Sequence, residues 1–374
     1  MYPLGGIRTY LKYNYRHFPR DRFDVTLLAN PSIEDAALER DMAALGIKVI
    51  RAKPLLGKNV LFAWVAWVLL HKDVDLFHSQ GFISAFHVSL INWLYRKPHV
   101  LTIHGILEEK LFHGRAGRLK RKVFEKVIRN VSVFHAVGRD ILDHLMQALF
   151  KNRDSGIRWV VIPNGIDPQP FLPEFPDAKE SLCKRLAIDD ATFIFGYFGR
   201  FMPEKGFDDV IKCAGIIKDR KDKTGRFVVM AVGSGDYELR YKAQVRRAEL
   251  SEHFRFLPFQ PNVAELMKGC DAVLMPSIWE AYPILTSEVL CCGVPLIASN
   301  CPGLREAVAN TPAIQVPASD APALADAMVR VMEEPGLKNT FVKFRAEAAR
   351  RFDVKNSAQK LIALFEKILD AGST

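Results

Sequence analysis

Short apolar runs alternate with helix-patterned segments along the first half of the chain. The runs are rich in Val, Ile, Leu and Phe, which at this length favours buried strands. They predict strands at 23–29, 74–78, 99–104, 131–137 and 159–162. Apolar residues at helical spacing predict helices between them, at 7–15, 33–45, 62–70 and 119–128. Strand alternating with helix is typical of a parallel sheet with helices on both faces.

The same alternation restarts in the second half. Its predicted strands lie at 193–198, 227–232, 254–257, 272–275 and 295–298. Between the halves, residues 164–176 hold four of the chain's 21 prolines, and such a segment rarely continues a helix or a central strand. We therefore expect an N-terminal domain at 1–170 and a C-terminal domain at 171–355. Two doubly wound, Rossmann-like domains are expected to face each other across a ligand-binding cleft.

The two ends of the chain add one expectation each. The tail has an apolar stripe at helical spacing, made of Leu361, Leu364, Phe365 and Ile368. It predicts a C-terminal helix within 356–374 that packs back toward the N-terminal domain. At the other end, Gly5 and Gly6 arrive before any strand, whereas a doubly wound domain opens with a strand that leads into its first glycine loop. The sequence predicts that this first strand is missing.

Composition narrows the class of protein. The 374 residues are 49% hydrophobic and 25% charged, which is ordinary globular usage and excludes a disordered protein. The longest apolar run, 60–70, is shorter than the roughly 20 residues that span a membrane. The six cysteines form no C-x-x-C pair, so we expect no zinc site. We expect instead that the thiols are buried and reduced, as in a cytoplasmic protein. A net charge of +10 favours an anionic partner without choosing among nucleic acid, membrane and phosphorylated substrate.

Several cofactor motifs are absent from the sequence. There is no G-x-G-x-x-G, no G-x-x-x-x-G-K-[ST] and no H-E-x-x-H, which argues against hydride transfer and kinase chemistry. A candidate phosphate-binding loop begins at Gly199, directly after a predicted strand. Arg200 is its second residue and Lys205 lies five residues further on. A guanidinium and an ammonium at the carboxyl end of a parallel strand are suited to phosphate oxygens. The alternative reading is a solvated, charged turn.

A second group of candidate residues follows the strand predicted at 272–275. Glu280 lies in a loop, and Glu288 lies eight residues later in a helix expected to begin near Leu285 or Thr286. Unpaired amides at that helix start form an anion site, and the two carboxylates are placed to accept hydrogen bonds from sugar or ribose hydroxyls. Alone, two glutamates at this spacing are a weak signal, since such pairs are usually surface charges.

Together these segments resemble known sequence signatures. G-R-x-x-x-E-K-G at 199–206, followed by P-S-x-x-E-x-x-P-x-x-x-x-E from residue 276, resembles the paired signatures of family 4 glycosyltransferases of GT-B fold. N-G-I-D at 164–167, V-G-S-G at 232–235 and P-G-L-R-E at 302–306 are similar to further family segments, with proline in place of one glycine. Gly5-Gly6 resembles the family's N-terminal glycine loop.

The resemblance implies a substrate and a role for each residue. Family members bind a nucleotide diphosphate sugar, commonly a UDP- or GDP-sugar, without a cofactor or a metal. Arg200 and Lys205 would then neutralise the diphosphate, and the helix amides of Ile284 and Leu285 would touch phosphate oxygens. Glu280 would contact the transferred sugar. Glu288 would bind the ribose, Gly5, Gly6 and Gly199 would line the donor, and the base would lie against loop 256–260.

On the N-terminal side, three histidines lie near predicted strand ends. His104 resembles the family's active-site histidine, whereas His78 and His135 are more simply read as satisfied core residues. The resemblance implies transfer with retention of anomeric configuration, in which the leaving phosphate deprotonates the acceptor hydroxyl. No dedicated nucleophile is then expected, so the glutamates are not a hydrolase pair.

The acceptor is expected to be a glycan or a glycolipid, as in polysaccharide or lipopolysaccharide synthesis. Between Lys110 and Arg129 lie eight Lys or Arg and the acidic Glu125, with an apolar stripe at helical spacing. This predicts either a peripheral contact with an anionic membrane or a core-packed helix with a solvated basic face. Alternative functions are a catalytically silent nucleotide-sugar-binding protein and another GT-B enzyme, an epimerase or a phosphorylase. No nucleic-acid motif accompanies the charge, so nucleic acid is not expected.

Overall fold

The computed structural model describes residues 5–29, 36–51, 73–105, 112–150, 158–220 and 225–372. The helix predicted at 62–70 lies outside these residues, as does Lys110. The chain divides into two compact units, one made of Met1–Gly165 with Val354–Thr374 and the other of Ile166–Asp353. The sequence had put both boundaries a few residues further along the chain, at 170 and 355.

The first unit alternates helices and strands. In chain order its elements are α1 (Gly5–Tyr15), β1 (Thr26–Ala29), α2 (Ala36–Ala44), β2 (Lys48–Arg51), β3 (Phe77–Gln80), α3 (Phe82–Tyr95), β4 (His99–Ile103), α4 (Gly114–Ile128), β5 (Val133–Ala136), α5 (Arg139–Phe150), β6 (Arg158–Val161) and, at the end of the chain, α14 (Val354–Gly372). Every strand pairing in this unit is parallel.

The strands of the first unit form two separate groups. One sheet has the order β3-β4-β5-β6, and β1 pairs with β2 apart from it. In a doubly wound sheet the strand that precedes the first helix lies between two such groups. Within the described residues α1 is the first element, and no strand occupies that position.

The C-terminal helix shares a core with the first helix. Tyr10 and Tyr15 of α1 are buried in one cluster with residues of α14, namely Leu361, Leu364, Phe365 and Ile368. The Phe365 ring packs edge-on against His78 of β3, with 5.1 Å between the ring centroids. The apolar stripe of the tail therefore faces the histidine-bearing sheet.

The second unit repeats the plan. Its elements are α6 (Ala178–Leu186), β7 (Phe193–Phe198), α7 (Phe207–Asp219), β8 (Phe227–Val232), α8 (Glu238–Arg247), β9 (Phe254–Leu257), α9 (Ala264–Gly269), β10 (Ala272–Met275), α10 (Ile284–Cys292), β11 (Leu296–Ser299), α11 (Leu304–Ala307), β12 (Ile314–Val316), α12 (Ala321–Glu333) and α13 (Leu337–Arg351). Short 3-10 turns lie at Gln169–Phe171, Pro203–Lys205 and Ser251–His253.

One parallel sheet holds the second unit together, in the order β12-β11-β10-β7-β8-β9. Its first strand, β7, lies beside its fourth, β10, so the chain winds outward in both directions from this pair. Ligands of doubly wound sheets bind outside the carboxyl ends of the strands at such a switch point. The structure therefore brings the loops after β7 and β10 to the edge where a ligand is expected.

Most predicted strands are present, with small shifts. Four strands of the second unit, β7 to β10, have the predicted bounds, because strands covered on both faces read as unbroken apolar runs. The predicted strand at 74–78 is displaced to Phe77–Gln80. Two strands were missed, Lys48–Arg51 and Ile314–Val316; both are short, carry polar residues and lie at a sheet edge.

Candidate active site

The backbone of the glycine-flanked loop after β7 is anchored to the loop after β8 and to β7 itself. The N–H of Phe201 donates to the carbonyl of Ser234 at 3.0 Å, and the hydroxyl of Tyr197 donates to the carbonyl of Arg200 at 3.2 Å. The Arg200 side chain is exposed and lies 3.9 Å from Glu204, whereas Lys205 is half-buried. The loop thus carries one exposed cation, Arg200, and one half-buried cation, Lys205.

Glycine is required where this loop meets strand β10. Gly206 has φ +69°, and a Cβ atom there would lie 1.9 Å from the carbonyl oxygen of Pro276. Gly303 is in the same situation on the other side: its φ is +76°, and its Cβ would lie 2.2 Å from the carbonyl oxygen of Glu280. Residues with a side chain rarely adopt such φ values. The motif glycines therefore bring three loops into contact around Glu280.

Lys205 and Glu280 are paired in the structure. The ammonium Nζ of Lys205 donates to Oε1 of Glu280 at 2.6 Å, and the hydroxyl of Ser277 donates to the same oxygen at 2.8 Å. Glu280 is 8% exposed. Both contacts fall on Oε1 of this carboxylate. The structure thus brings together two residues that the sequence separated into two motifs.

Helix α10 begins one residue earlier than predicted, at Ile284, and follows Pro283 in extended conformation. No side chain caps its N-terminus, so the amides of Ile284 and Leu285 lie in the first turn without a capping oxygen. Glu288 lies one turn further on, half-buried, and burial raises the pKa of its carboxyl to about 7. A helix start with unsatisfied amides is an anion site.

Three further predicted donor contacts lie at other places along the chain. Gly199 begins the loop after β7, and its N–H donates to the carbonyl of Val232. Residues 256–260 include the end of β9 and the loop after it, where Phe259 is exposed. Gly5 and Gly6 form the first turn of α1 in the first unit.

The histidines of the first unit form a hydrogen-bonded array. Nε2 of His78 lies 2.6 Å from Oγ1 of Thr102, which lies 2.9 Å from Nδ1 of His135. Nε2 of His104 lies 2.7 Å from Oε1 of Gln80. Desolvation lowers the pKa of each of these imidazoles, for His104 to about 3 and for His135 to about 4, so all are neutral at physiological pH.

The sequence missed the residues that support these groups. Ser277 was visible as part of P-S-x-x-E, but its contact with Glu280 was not inferred. Gln80 and Thr102 gave no signal, because β3 and β4 align them only in three dimensions, with Gln80 opposite Thr102 in the register. Hydrogen bonds between neighbouring strands cannot be read from spacing along the chain.

Helices α3 and α4 present an unusual outer surface, which we call the apolar–basic face. The rings of Phe86 and Phe124 stack at 5.9 Å and join the two helices. The most exposed apolar side chains of the two helices are Ile83, Trp93, Leu94, Leu119 and Val123, from 47% to 76% exposed. Exposed basic side chains of α4 and the residue after it are Arg118, Lys120, Lys122, Lys126 and Arg129.

The predicted stripe of α4 is therefore divided. Phe124 and Ile128 pack inward, whereas Leu119 and Val123 face outward among the basic residues. Searched over the described residues, the structure contains no helix with the length and apolar character needed to cross a membrane. The six cysteines are all buried and unbridged, and the described part of the chain brings no three His, Cys, Asp or Glu side chains into a metal-binding group.

Both halves of the chain match known families. Residues 4–170 match the family described as Glycosyltransferase Family 4, and residues 178–350 match Glycosyl transferases group 1. Over 97% of its length the chain is 24% identical to an Escherichia coli UDP-Gal:alpha-D-GlcNAc-diphosphoundecaprenol alpha-1,3-galactosyltransferase, 94% of which is covered. It is 27% identical to a D-inositol 3-phosphate glycosyltransferase of Corynebacterium jeikeium, over 80% of this chain and 73% of that protein.

Solved structures share the fold. A crystal structure of Anabaena Alr3699/HepE in complex with UDP-glucose has a TM-score of 0.79 with this chain at 22% identity, covering 97% of this chain and 96% of that one. A crystal structure of WaaG, a glycosyltransferase involved in lipopolysaccharide biosynthesis, has a TM-score of 0.69 at 15% identity, covering 91% and 99%. The two-unit parallel α/β architecture is common to all three.

Proposed function

The chain belongs to the family 4 glycosyltransferases, enzymes of GT-B fold, and from this premise we propose that it moves a sugar from a nucleotide diphosphate sugar to a hydroxyl of a glycan or lipid-linked acceptor. The observation that carries the proposal is the cluster at the switch point of the second unit. There Lys205 is paired with Glu280, Arg200 lies in the same loop as Lys205, and the uncapped start of α10 follows Glu280 by four residues. Two cations and a helix N-terminus suit a diphosphate, and a carboxylate beside them suits sugar hydroxyls.

The donor diphosphate is proposed to bind without a metal ion. Lys205 and Arg200 supply the positive charge that Mg²⁺ supplies in other nucleotide enzymes, and they stabilise the charge that grows on the leaving group. When the phosphate arrives, the Lys205 ammonium is shared between it and Glu280. Glu288 accepts hydrogen bonds from the ribose hydroxyls, which favours its ionised form.

Transfer is proposed to retain the anomeric configuration. The acceptor oxygen bonds to the anomeric carbon on the face that the nucleotide leaves, the bond from that carbon to the phosphate oxygen breaks, and the acceptor proton passes to the leaving phosphate. Glu280 is tied by its Oε1 to Lys205 and Ser277 and orients the sugar rather than attacking it. His104 contacts the reacting sugar from the first unit.

Donor hydrolysis tests the proposal, because it needs no acceptor. The purified chain is incubated with UDP-, GDP- and ADP-sugars, with and without EDTA, and the released nucleotide is measured. We expect release from one donor class, unaffected by EDTA and lost in Lys205→Ala and Glu280→Ala. Binding of a nucleotide sugar with no release under any condition, even with glycan or lipid-linked acceptors added, would contradict the enzymatic proposal. Proton NMR of the product anomer checks retention.

We propose that the first unit, which would bind the acceptor, contacts an anionic membrane through its apolar–basic face. Relatives include an enzyme named for a diphosphoundecaprenol acceptor, which is a lipid-linked substrate. The apolar–basic face offers exposed apolar side chains for the lipid interface, Trp93 and Leu94 above all, and α4 adds basic residues that attract anionic headgroups. The enzyme would then be peripheral on the cytoplasmic membrane surface.

Co-sedimentation with vesicles tests this second proposal. Vesicles of phosphatidylcholine with about one third phosphatidylglycerol carry the negative charge that the proposal requires, and vesicles of phosphatidylcholine alone do not. We expect binding to the first at low salt, weakened as salt screens the headgroups. Equal binding to both, or binding to neither, would remove the membrane from the proposed function.

A further inference from the structure

A chain of hydrogen bonds in the first unit fixes where the protons of its histidines lie. It starts at the carbonyl oxygen of Ile162, which can only accept, 2.9 Å from Nε2 of His135. Nε2 of His135 must therefore carry the proton, and Nδ1 of the neutral ring must be the acceptor. The hydroxyl of Thr102, 2.9 Å from that Nδ1, donates to it.

The same assignment of donors and acceptors extends from β4 to His78 on the neighbouring strand β3. Because the Thr102 proton is directed at His135, its oxygen accepts from Nε2–H of His78 at 2.6 Å. The lone pair of His78 is then on Nδ1, where the hydroxyl of Tyr15 donates at 2.6 Å. One backbone carbonyl thus orients three side chains beyond His135.

Gln80 lies between His78 and His104. Its side-chain Nε2 is nearly equidistant from the two ring nitrogens of His78, at 3.3 Å from Nδ1 and 3.2 Å from Nε2. The structure places its amide oxygen Oε1 on the other side, 2.7 Å from Nε2 of His104. An amide oxygen only accepts, so Nε2 of His104 carries the proton.

We propose that Gln80 is a positioning residue that holds His104 as its Nε2-protonated tautomer, so that Nδ1 presents a lone pair to a sugar hydroxyl. The part that concerns the sugar rests on the proposed function. Its consequence is that His104 accepts a hydrogen bond from a hydroxyl and neither donates one to a phosphate nor carries a charge.

The surroundings of His104 keep it neutral. Among the described residues, the titratable groups around it are Tyr10 of α1, whose ring meets it edge-on at 4.7 Å, His78 of β3 and His135 of β5. All three are uncharged, since burial raises the pKa of Tyr10 and lowers those of both imidazoles. Within the described residues no carboxylate contacts the His104 ring.

The tautomer is measured by nitrogen NMR on the full chain labelled with ¹⁵N-histidine. The spectrum of the variant His104→Asn lacks the two ring-nitrogen signals of His104, which assigns them. We expect one protonated and one unprotonated nitrogen for His104, with Nε2 protonated, unchanged from pH 5 to pH 9. A ring protonated on Nδ1, or rapid exchange between tautomers, overturns the proposal. Because no substrate is present, this result does not depend on whether the donor assignment is right.

A charge change at Gln80 tests the link to activity. In Gln80→Glu a carboxylate accepts the Nε2 proton and stabilises the imidazolium, so the pKa of His104 rises. Donor hydrolysis then loses about tenfold in kcat per pH unit on the acid side of the new pKa and recovers at high pH. Gln147→Glu, the same change on an exposed position of α5, serves as the control.

Two results would contradict this link. One is a Gln80→Glu profile parallel to that of the control. The other is a uniform loss at all pH values with the His104 signals unchanged, which would mean that Gln80 acts by packing alone. If Gln80→Glu does not fold, Gln80→Met removes the acceptor without adding charge, and His104 is then expected to show both tautomers.

Discussion

The ammonium of Lys205 lies 2.6 Å from the carboxylate of Glu280, although 75 residues separate them in the chain. Each belongs to a different sequence motif, and each is assigned a different part of the donor, the diphosphate for Lys205 and the sugar for Glu280. If both assignments are right, this pairing couples the two proposed subsites. A ligand that draws on one charge changes the environment of the other.

We expect Lys205→Met and Glu280→Gln each to lower donor hydrolysis by at least about 100-fold, the scale of losing one preorganised charge contact. Lys205→Met leaves a carboxylate that is 8% exposed without its cation, so the melting temperature should also fall. The double variant removes both charges and should be more stable than Lys205→Met alone, with a coupling energy of about 0.5–3 kcal/mol. Thermal melting and nucleotide release measure the two effects.

The control is an ion pair on the surface of the same unit. Lys184→Met breaks the exposed pair with Glu180 on α6 and should change neither stability nor hydrolysis appreciably. Wild-type turnover in either Lys205→Met or Glu280→Gln would show that the site is elsewhere.

The raised pKa of the Glu288 carboxyl predicts how donor affinity depends on pH. Burial raises the pKa of its carboxyl to about 7 in the free protein. Ribose hydroxyls donate hydrogen bonds to the ionised form, so binding lowers that pKa and releases a proton. Affinity should therefore be full above pH 7 and fall toward tenfold per pH unit below it, until the pKa of the bound state is reached.

Isothermal titration with the nucleotide sugar that the hydrolysis assay selects measures this dependence. Its diphosphate has no proton to lose between pH 5 and pH 9, so the protein alone contributes. Glu288→Gln should bind more weakly at pH 8 and show no dependence between pH 5 and pH 7. A wild-type affinity that is flat across pH 7 would exclude Glu288 from the ribose site.

The backbone conformation of Gly303 predicts that a side chain at this position destabilises the protein. Gly303→Ala puts a Cβ atom 2.2 Å from the carbonyl oxygen of Glu280 at a φ of +76°. The left-handed conformation alone costs about 1–2 kcal/mol, and relieving the overlap must move the Glu280 loop. We expect a melting temperature lower by several degrees and a weaker donor affinity, both read from thermal melting with and without nucleotide.

Gly336→Ala provides the matched substitution in the same unit. Its φ is −62°, and nothing lies within 4 Å of the added atom. This variant should be as stable as the parent or more so, by up to about 1 kcal/mol. If both alanine variants melt alike, the crowding at Gly303 is not a constraint on the loop.

The sequence could predict the features that depend on neighbouring residues along the chain, namely buried strands and contiguous motifs. Strands such as Phe195 to Phe198 and Val228 to Val232 are buried on both faces, so their apolar runs mark their bounds. The glycine-flanked loop and the two glutamates were also visible, because the motifs are contiguous. The edge strands Lys48–Arg51 and Ile314–Val316 were not, since one exposed side breaks the apolar run.

Contacts across the fold were beyond the same reasoning. Nothing in the spacing of Lys205 and Glu280 indicates that their side chains meet, and Gln80 carries no motif at all. Its role follows from the parallel register of β3 and β4, which sets it opposite Thr102. Sequence patterns therefore located the loops of the site, whereas the proton order and the charge pairing needed coordinates.

The apolar–basic face predicts which side chains carry membrane binding. Trp93 and Leu94 are 65% and 71% exposed at the end of α3, where burial in the lipid interface would remove apolar surface from water. Trp93→Ser and Leu94→Ser should each weaken binding to anionic vesicles severalfold, and Lys120→Glu with Lys122→Glu should abolish it at physiological salt. Leu239→Ser changes an equally exposed leucine, 80% exposed, on the other unit and should have no effect. Loss of binding in the charge variant with full retention in both serine variants would mean that the contact is electrostatic only and that α3 does not enter the lipid.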